Sequence, residues 1–331
     1  MKLIVYDFLH LFFSKHNLLT FKILEGTRGT KNFITSDSIA SISSIFHKDI
    51  ELLSKGLLYF FDQNDISLFN RLENENHDSL YNNISETFEM FPPAIVVLPE
   101  FLEPPELFRN LCKKYQIPLI RIAEQPDILK KLITIFLEDR FAPSMTVHGD
   151  LVEVYGMGLL ITGESGIGKS EAALDLIRRG HRLISDDIVV IKRMSGNFLF
   201  GTGSHIAQHF MEVRGVGIIN VPQLFGVAAV REKKRIDAKI LLEEWNLSHK
   251  YDRLGLIDKY ESILGIKVPV IVIPVRPGRN IPGIIETSAL NLRLKLSGIN
   301  SAQTLNNILV KWMQSEKNID LKKVSFDKIN R

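Results

Sequence analysis

The sharpest change in hydrophobic pattern along the chain lies between residues 157 and 180. The unbroken apolar run Met157-Gly158-Leu159-Leu160-Ile161 is typical of a buried strand. A glycine-rich stretch follows, and apolar residues then return at helical spacing before Gly180, at Ala172, Ala173, Leu176 and Ile177. The pattern therefore predicts a strand, a loop and a helix, in that order.

Strands and helices also alternate in the amino-terminal part of the chain. We expect a strand at residues 94–98, a helix begun by proline at 104–115 and a second strand at 117–122. This βαβ order implies a parallel sheet and an α/β fold class. The polar run at residues 73–78 predicts an exposed loop before these elements.

The length of 331 residues favours two domains. A helical apolar stripe at residues 129–139 can connect them, and we place the boundary near residue 132. The expected organisation is an amino-terminal α/β domain over residues 1–132 and a second domain over 133–331. Helical spacing at residues 302–314 predicts a terminal helix.

Composition excludes several classes of protein. Hydrophobic residues make up 45% and charged residues 24% of the chain, which is typical of a folded domain. A formal net charge of +3 gives no reason to expect nucleic acid or membrane as the main partner. The single cysteine, Cys112, excludes an internal disulfide. Because Asp7 and His10 interrupt the first apolar run, we expect no signal peptide and a cytoplasmic protein.

The glycine-rich stretch carries the clearest chemical signal. It matches the phosphate-loop pattern G-x-x-x-x-G-K-[ST] at Gly163, Glu164, Ser165, Gly166, Ile167, Gly168, Lys169 and Ser170. Such a loop turns backbone N–H groups toward phosphate oxygens, while the lysine adds a cation and the last hydroxyl reaches Mg²⁺. We therefore expect a nucleotide-phosphate site here.

Several later residues can serve that site. Asp186 and Asp187 end a predicted strand, so one can orient while the other reacts; a capped turn is the alternative. Glu212 can bind a metal ion, or it can form a solvated ion pair with Arg214. Arg253, Arg276 and Arg279 lie on stiff, turn-rich segments and can bind phosphate, or they can be exposed loop charges.

The chain lacks the Asn-Lys-x-Asp tetrapeptide of GTPases. Taken in order, its motifs resemble those of the bacterial HPr kinase/phosphorylase family. The motifs are His148-Gly149, residues 163–170, Asp186-Asp187, Glu212-Val213-Arg214-Gly215, Tyr251-Asp252-Arg253 and residues 274–279.

The resemblance implies an enzyme that uses ATP or pyrophosphate to phosphorylate a serine of the phosphocarrier protein HPr. It also implies phosphorolysis of phosphoserine-HPr by inorganic phosphate, a role in regulating carbon metabolism and a homohexamer. The expected carboxyl-terminal fold is a phosphate-loop kinase domain like the nucleotide-site core of phosphoenolpyruvate carboxykinase. A regulatory module with decayed catalysis and a carboxykinase-like small-molecule enzyme remain the alternatives.

Residue roles follow from the same resemblance. It implies nucleotide binding by residues 163–170 and Mg²⁺ binding by Ser170 and Glu212. The implied acid/base is Asp187, and the remaining implied active-site residues are His148, Lys169, Arg253, Arg276 and Arg279. Of these, Arg276 and Arg279 are expected to matter mainly for dephosphorylation.

Overall fold

The structure, a computed structural model, describes residues 2–46, 53–204, 208–246 and 259–326, with backbone alone for 315–326. The chain divides into two compact units, Met1–Ala142 and Pro143–Arg331. Each unit has its own sheet and its own buried apolar clusters.

The first unit contains, in chain order, β1 (Leu3–Ile4), α1 (Val5–Lys15), β2 (Phe21–Glu25), β3 (Phe33–Ile34), β4 (Ile39–Ser41), α2 (Ser43–Phe46), β5 (Leu58–Phe60), α3 (Gln63–Met90), β6 (Ile95–Pro99), α4 (Glu106–Lys114), β7 (Leu119–Ile122) and α5 (Pro126–Phe141). A five-stranded sheet has the order β2-β7-β6-β5-β4. Strands β4 to β7 run parallel, and β2 is antiparallel at the edge. The parallel βαβ arrangement predicted around β6, α4 and β7 is therefore confirmed.

Both faces of this sheet are covered by helices. Successive residues of a strand point to opposite faces. Val96 and Leu98 accordingly join a core with residues of α3 and α4, while Ile95 and Val97 join a second core with residues of α1 and α5. Burial on both faces explains why β6 is apolar at every position.

The expectation of a loop at residues 73–78 is wrong. These residues lie within α3, where only Asn76 departs from helical backbone angles. The helix begins with a capping box, in which Asp62 accepts from the Asp65 backbone N–H and Asp65 accepts from the Asp62 backbone N–H. The polar run is the solvent-exposed surface of two helical segments that meet at a kink at Asn76, whose Oδ1 accepts from the Ser79 backbone N–H.

The division between the units falls later than the expected boundary near residue 132. Residue 132 lies inside α5, and Ile133, Phe136 and Leu137 of that helix are buried in the first unit's core. Helix α5 therefore belongs entirely to the first unit.

The second unit contains, in chain order, β8 (Ser144–His148), β9 (Asp150–Val154), β10 (Met157–Gly163), α6 (Lys169–Arg178), β11 (Arg182–Ser185), β12 (Ile188–Met194), β13 (Phe198–Gly203), β14 (Phe210–Val213), β15 (Gly217–Asn220), α7 (Val221–Phe225), β16 (Lys233–Arg235), β17 (Ala238–Glu244), β18 (Lys259–Ile263), β19 (Ile266–Val275), α8 (Ile281–Leu296) and α9 (Ser301–Phe326). The predicted strand, loop and helix between residues 157 and 180 correspond to β10, the phosphate loop and α6.

A six-stranded sheet is the middle layer of this unit. Its order is β11-β9-β10-β17-β19-β18, and β10, β17 and β19 run parallel. Leu159 and Ile161 of β10 pack in a core with α6 and α8. Leu160 points the other way, into a core shared with the antiparallel sheet β16-β13-β12-β8. The phosphate loop therefore leaves a strand that is buried on both faces.

Candidate active site

The phosphate loop connects the carboxyl end of β10 to the first turn of α6. Gly166 and Gly168 have φ angles of 84° and 98°, a region that side chains other than glycine rarely adopt. The loop thereby aligns its backbone with the amino terminus of α6, where unpaired N–H groups and the helix dipole favour anions. The Lys169 ammonium donates to the carbonyl oxygens of Gly163 and Glu164, at 3.1 and 3.0 Å.

A second cation approaches the loop from the β14–β15 hairpin. A Cβ atom placed on Gly166 would lie 3.4 Å from a guanidinium nitrogen of Arg214. Arg214 therefore lies against the bare face of Gly166. The alternative of a solvated ion pair between Arg214 and Glu212 does not account for this position beside the phosphate loop.

Asp187 and His148 meet beside the sheet. Strand β11 ends at Ser185, so Asp186 and Asp187 lie in the turn before β12. His148 ends β8 and is paired with Ile188 of β12. The His148 Nδ1 atom lies 3.8 Å from Asp187 Oδ1, and these side chains are 83% and 71% exposed. Both side chains are therefore open to a substrate, and a contact this exposed adds little stability.

Asp186 faces inward and joins three parts of the site. Its Oδ2 accepts a hydrogen bond from the Glu212 backbone N–H at 3.1 Å, which ties the hairpin to the turn. Burial raises the pKa of Asp186 above its ordinary value, while hydrogen bonds from the Glu212 backbone and the Ser170 side chain lower it. Asp186 thus contacts the residues around it, whereas Asp187 is left exposed; both lie in a turn and not in the strand that the sequence predicted.

Asp150, the first residue of β9, is fully buried next to Asp186. Its Oδ1 accepts a hydrogen bond from the Asp187 backbone N–H at 3.0 Å. Burial, together with the charge of Asp186, raises the pKa of Asp150 to about 8. Asp150 therefore contacts both carboxylate residues of the turn from inside the protein.

The donor set around Ser170 suits a magnesium ion. The Ser170 hydroxyl and the Glu212 carboxylate are oxygen donors, and Asp186 contacts both residues. Mg²⁺ prefers oxygen and is commonly held by few protein groups together with phosphates and water. Within the described ranges, no group of three or more His, Cys, Asp or Glu side chains could hold a metal ion by itself. The residues present therefore fit a metal held jointly by the protein and a phosphate substrate.

The turn after β19 leaves the same edge of the sheet as the phosphate loop. Strand β17 pairs in parallel with both β10 and β19, so the carboxyl ends of all three strands lie along one edge. Ligands bind at this edge in open α/β sheets. Arg279 donates to the Pro274 carbonyl oxygen at 2.6 Å, and the Arg276 guanidinium lies 5.2 Å from the Trp245 ring centroid. Arg253 lies outside the described residues.

A cavity of about 740 Å³ opens at this edge. Its walls include His148, Gly163 and Glu164 together with the last residues of β17. His148, the start of the phosphate loop and the carboxyl end of β17 therefore border one space.

Comparison with known proteins identifies the relatives of this chain. The sequence profile of the HPr Serine kinase C-terminal domain matches residues 139–309. The HPr kinase/phosphorylase of Halalkalibacterium halodurans is 41% identical over 296 residues, which cover 87% of this chain and 92% of that protein. The chain belongs to the HPr kinase/phosphorylase family.

A second relative agrees with this assignment, and one solved structure matches part of the chain. The HPr kinase/phosphorylase of Treponema pallidum (strain Nichols) is 44% identical over 269 residues, or 80% of this chain and 84% of that protein. The solved HPr(Ser) kinase/phosphatase of Coxiella burnetii has 41% identity and a TM-score of 0.45, and the match covers 49% of this chain and 98% of that chain. The resemblance inferred from the ordered motifs is confirmed, and family membership makes this chain an enzyme of the kinase/phosphorylase class.

Two contacts at the site were not expected from the sequence. The sequence around Asp150 does not indicate a functional role, because Asp150 lies between the His148-Gly149 motif and an ordinary apolar strand. Its role depends on a partner that is 37 positions away. Arg214 was part of a recognised motif, but its approach to Gly166 depends on how the hairpin folds.

In the part of the chain that the structure describes, no helix has the length and apolar character needed to cross a membrane.

Proposed function

We propose that this chain phosphorylates a serine of HPr with ATP or pyrophosphate and, in reverse, dephosphorylates phosphoserine-HPr with inorganic phosphate to give pyrophosphate. The observation that carries the proposal is the exposed pairing of Asp187 with His148 at the turn that Asp186 ties to Ser170 and the Glu212 hairpin. This arrangement provides a phosphate-binding loop and an accessible proton acceptor for a protein substrate in one site.

We assign the phosphate loop, residues 163–170, to the nucleotide or pyrophosphate. The amino terminus of α6 and the Lys169 ammonium provide positive charge for its terminal phosphates. Ser170 and Glu212 would hold Mg²⁺, which when bound neutralises charge on the phosphate oxygens. Arg253, Arg276 and Arg279 are proposed to bind phosphate groups that arrive or leave.

In the forward direction, the serine oxygen of HPr attacks the terminal phosphorus while the bond to the leaving phosphate breaks. The Asp187 carboxylate takes the serine proton, and ADP or phosphate departs with the electron pair of the broken bond. His148, next to Asp187, is positioned to orient its carboxylate. The Lys169 ammonium stabilises charge on the transferred group.

In the reverse direction, an oxygen of inorganic phosphate attacks the phosphoserine phosphorus. The attacking phosphate loses its proton to Asp187, and Asp187 delivers a proton to the departing serine oxygen. The bond to serine breaks as the bond in pyrophosphate forms, so no further reagent is required. One residue serves both directions, because the proton that Asp187 takes from the serine oxygen in phosphorylation is the proton that it returns to that oxygen in phosphorolysis.

The direct test combines the purified chain with HPr, Mg²⁺ and ATP labelled on its terminal phosphate. We expect label on a serine of HPr and its release as pyrophosphate when unlabelled phosphate is added. Label transfer to neither HPr nor phosphate would refute the proposal. Incubation with oxaloacetate tests the carboxykinase-like alternative, for which we expect no nucleotide-dependent turnover.

Asp187→Asn tests the proton carrier. The change keeps the shape of the side chain and removes its basicity, so we expect both reactions to fall by more than about 100-fold while nucleotide binding persists. Asp175→Asn, an exposed change on α6, is the matched control. Activity of the Asp187 variant within about 10-fold of the unchanged enzyme would remove Asp187 as the acid/base.

The finer aspects of the family resemblance are also part of this proposal. We propose a phosphate-loop core like that of phosphoenolpyruvate carboxykinase, action in the cytoplasm and assembly as a homohexamer. Exposed apolar residues on α9 support self-assembly, because a monomer leaves them in water: Leu305, Ile308, Leu309 and Met313. Sedimentation of the purified chain tests the assembly, and a monomer at micromolar concentration would contradict it.

A further inference from the structure

The turn that carries Asp187 holds its backbone in an unfavourable conformation. The φ angle of Asp187 is 60°, in the left-handed region. Aspartate tolerates this region better than most residues, but a single residue stays there only when its surroundings impose it. The conformation directs an exposed side chain toward His148, so whatever fixes it also fixes the proposed proton carrier.

Both backbone groups of Asp187 are held by neighbouring residues on the connection from β8 to β9. The Asp187 carbonyl oxygen accepts from the Gly149 N–H at 2.9 Å. The Asp187 N–H donates to Asp150 Oδ1 at 3.0 Å. His148, the partner of the Asp187 side chain, directly precedes these two residues. A single tripeptide therefore contacts Asp187 from its side chain, its carbonyl oxygen and its amide.

Burial of the Asp150 carboxyl group lowers the stability of the fold. Its side chain is fully buried, and its Oδ2 has no hydrogen-bond partner among the described residues; nor does Oδ1 of the adjoining Asp186. A buried polar group without a partner destabilises a fold. The side chains of Asp150 and Asp186 lie within hydrogen-bonding reach of each other, and such a bond requires a proton on one of the two carboxyl groups. The raised pKa of Asp150, about 8, is consistent with a neutral carboxyl.

We propose that Asp150 is a positioning residue for phosphoryl transfer, which holds Asp187 in its left-handed conformation by accepting the Asp187 backbone hydrogen bond. This inference rests on the proposed role of Asp187 as the acid/base. Asp150 itself does not touch the substrate. Its effect is to keep the Asp187 carboxylate at one orientation beside His148 during both directions of the reaction.

Two substitutions of similar branched shape separate this role from packing. Asp150→Asn keeps an oxygen that accepts the Asp187 N–H and adds an amide that can donate to Asp186. Asp150→Leu has a larger side chain of the same branching and offers no acceptor. We expect Asp150→Leu to lower kcat in both directions by roughly 10- to 100-fold, with the Kd for nucleotide changed by less than about 3-fold. Asp150→Asn should recover most of the lost turnover.

A matched control is available in the same sheet. Asp237 is also buried and accepts a backbone hydrogen bond, from the Gly158 N–H at 2.8 Å, but it lies at the opposite end of β10 from the phosphate loop. Asp237→Leu therefore tests the loss of a buried carboxylate, with its backbone hydrogen bond and its ion pair to Arg235, without the link to Asp187. We expect it to lower the melting temperature and to leave kcat within about 3-fold of the unchanged enzyme.

The outcomes separate this inference from the proposed function. If the unchanged chain transfers no label to HPr, the proposed function fails. If Asp187→Asn leaves both reactions intact, the acid/base role of Asp187, on which this inference rests, fails. If Asp187→Asn abolishes them and Asp150→Leu keeps kcat, or Asp150→Asn loses as much as Asp150→Leu, the positioning role is overturned. Hydrogen exchange of the Asp187 amide gives a second readout: protection should persist in Asp150→Asn. Rapid exchange there, equal to that of an open loop amide, would overturn the role even if Asp150→Leu did not fold.

Discussion

Neighbouring carboxyl groups at this site differ in environment, and the environment sets what each can do. Asp187 is largely exposed beside His148, so it can reach a substrate as bulky as a protein. Asp186 is partly buried and accepts from the backbone of Glu212, while Asp150 is fully buried behind both. Proton exchange with a substrate requires access, so only Asp187 suits that task.

Lys169 gives the most direct test of the proposed phosphate loop, because its ammonium lies against the loop's own carbonyl oxygens. We expect Lys169→Ala to abolish transfer in both directions, because the lysine supplies the mobile cation of the loop and neutral side chains cannot replace it. Labelled transfer from ATP to HPr measures the effect. Lys267→Ala, an exposed change at the far end of β19, is the control and should transfer normally. Near-normal transfer by the Lys169 variant would refute the assignment of the phosphate loop.

The buried Asp150 carboxyl predicts a pH dependence of stability. Its pKa rises from 3.8 to about 8 in the folded protein because of burial. Between these values the folded state holds a proton that the unfolded state has lost. The stabilising contribution is complete below the unfolded pKa and is lost as pH rises through the folded pKa. Asp150→Asn cannot ionise, so its urea midpoint relative to that of the unchanged protein should increase from about pH 5 to about pH 8.5. A constant difference across this range would contradict the prediction.

At the level of elements, periodicity predicted what depends on neighbours in sequence. The apolar run of β10 and the stripe of α6 specify a strand and a helix locally, and the glycines specify the loop between them. The polar stretch at residues 73–78 predicted a loop, but the exposed surface of a helix carries the same kinds of polar residue, so polarity alone does not distinguish the two. The structure shows that Asp62 and Asp65, three residues apart, form a capping box at the start of this helix.

Contacts between distant elements set the limit of sequence reasoning at the site. The residue types and order of the motifs were sufficient to indicate the loop, the carboxylate pair and the arginine turn. The hydrogen bond from Asp187 to Asp150 and the approach of Arg214 to Gly166 required the fold, because they join separate strands. A motif shows which side chains are present, but contacts between distant strands determine that Asp187 is exposed while Asp150 is buried.

The turn after β19 carries a prediction about the direction of catalysis. Arg279 donates to the Pro274 carbonyl oxygen and so fixes the turn, whereas the Arg276 guanidinium lies over Trp245. We expect Ala at both positions to reduce phosphorolysis by at least about 10-fold more than phosphorylation by ATP, because only phosphorolysis uses free inorganic phosphate as a substrate. Rates of both reactions from the same preparation measure the ratio.

Two comparisons make that measurement specific. Arg182→Ala, an exposed change at the start of β11, controls for the loss of surface charge and should leave the ratio unaltered. Arg279→Lys keeps a cation but not the planar fork, so partial recovery would attribute the loss to charge. Equal losses in both directions for the double Ala variant would refute the division of labour.

At the scale of the whole chain, the position of α5 predicts which truncated fragments of the protein fold. Ile133, Phe136 and Leu137 are almost completely buried in the first unit. A fragment of residues 1–132 loses all three, and burial of each such side chain contributes roughly 1.5–3 kcal/mol. Their sum is comparable with the total stability of a typical domain, about 5–15 kcal/mol. We therefore expect residues 1–142 to fold alone and residues 1–132 to remain unfolded.

Thermal unfolding followed by circular dichroism distinguishes the two fragments, and point changes in the longer one locate the cause. Ile133→Ala should destabilise residues 1–142 by about 2–5 kcal/mol, because it opens a cavity in the core. Ile135 lies on the same helix but is 59% exposed, so Ile135→Ala should change the stability by less than about 0.5 kcal/mol. Equal melting of the fragments 1–132 and 1–142 would show that α5 is not needed for the first unit. The boundary would then return to the neighbourhood of residue 132.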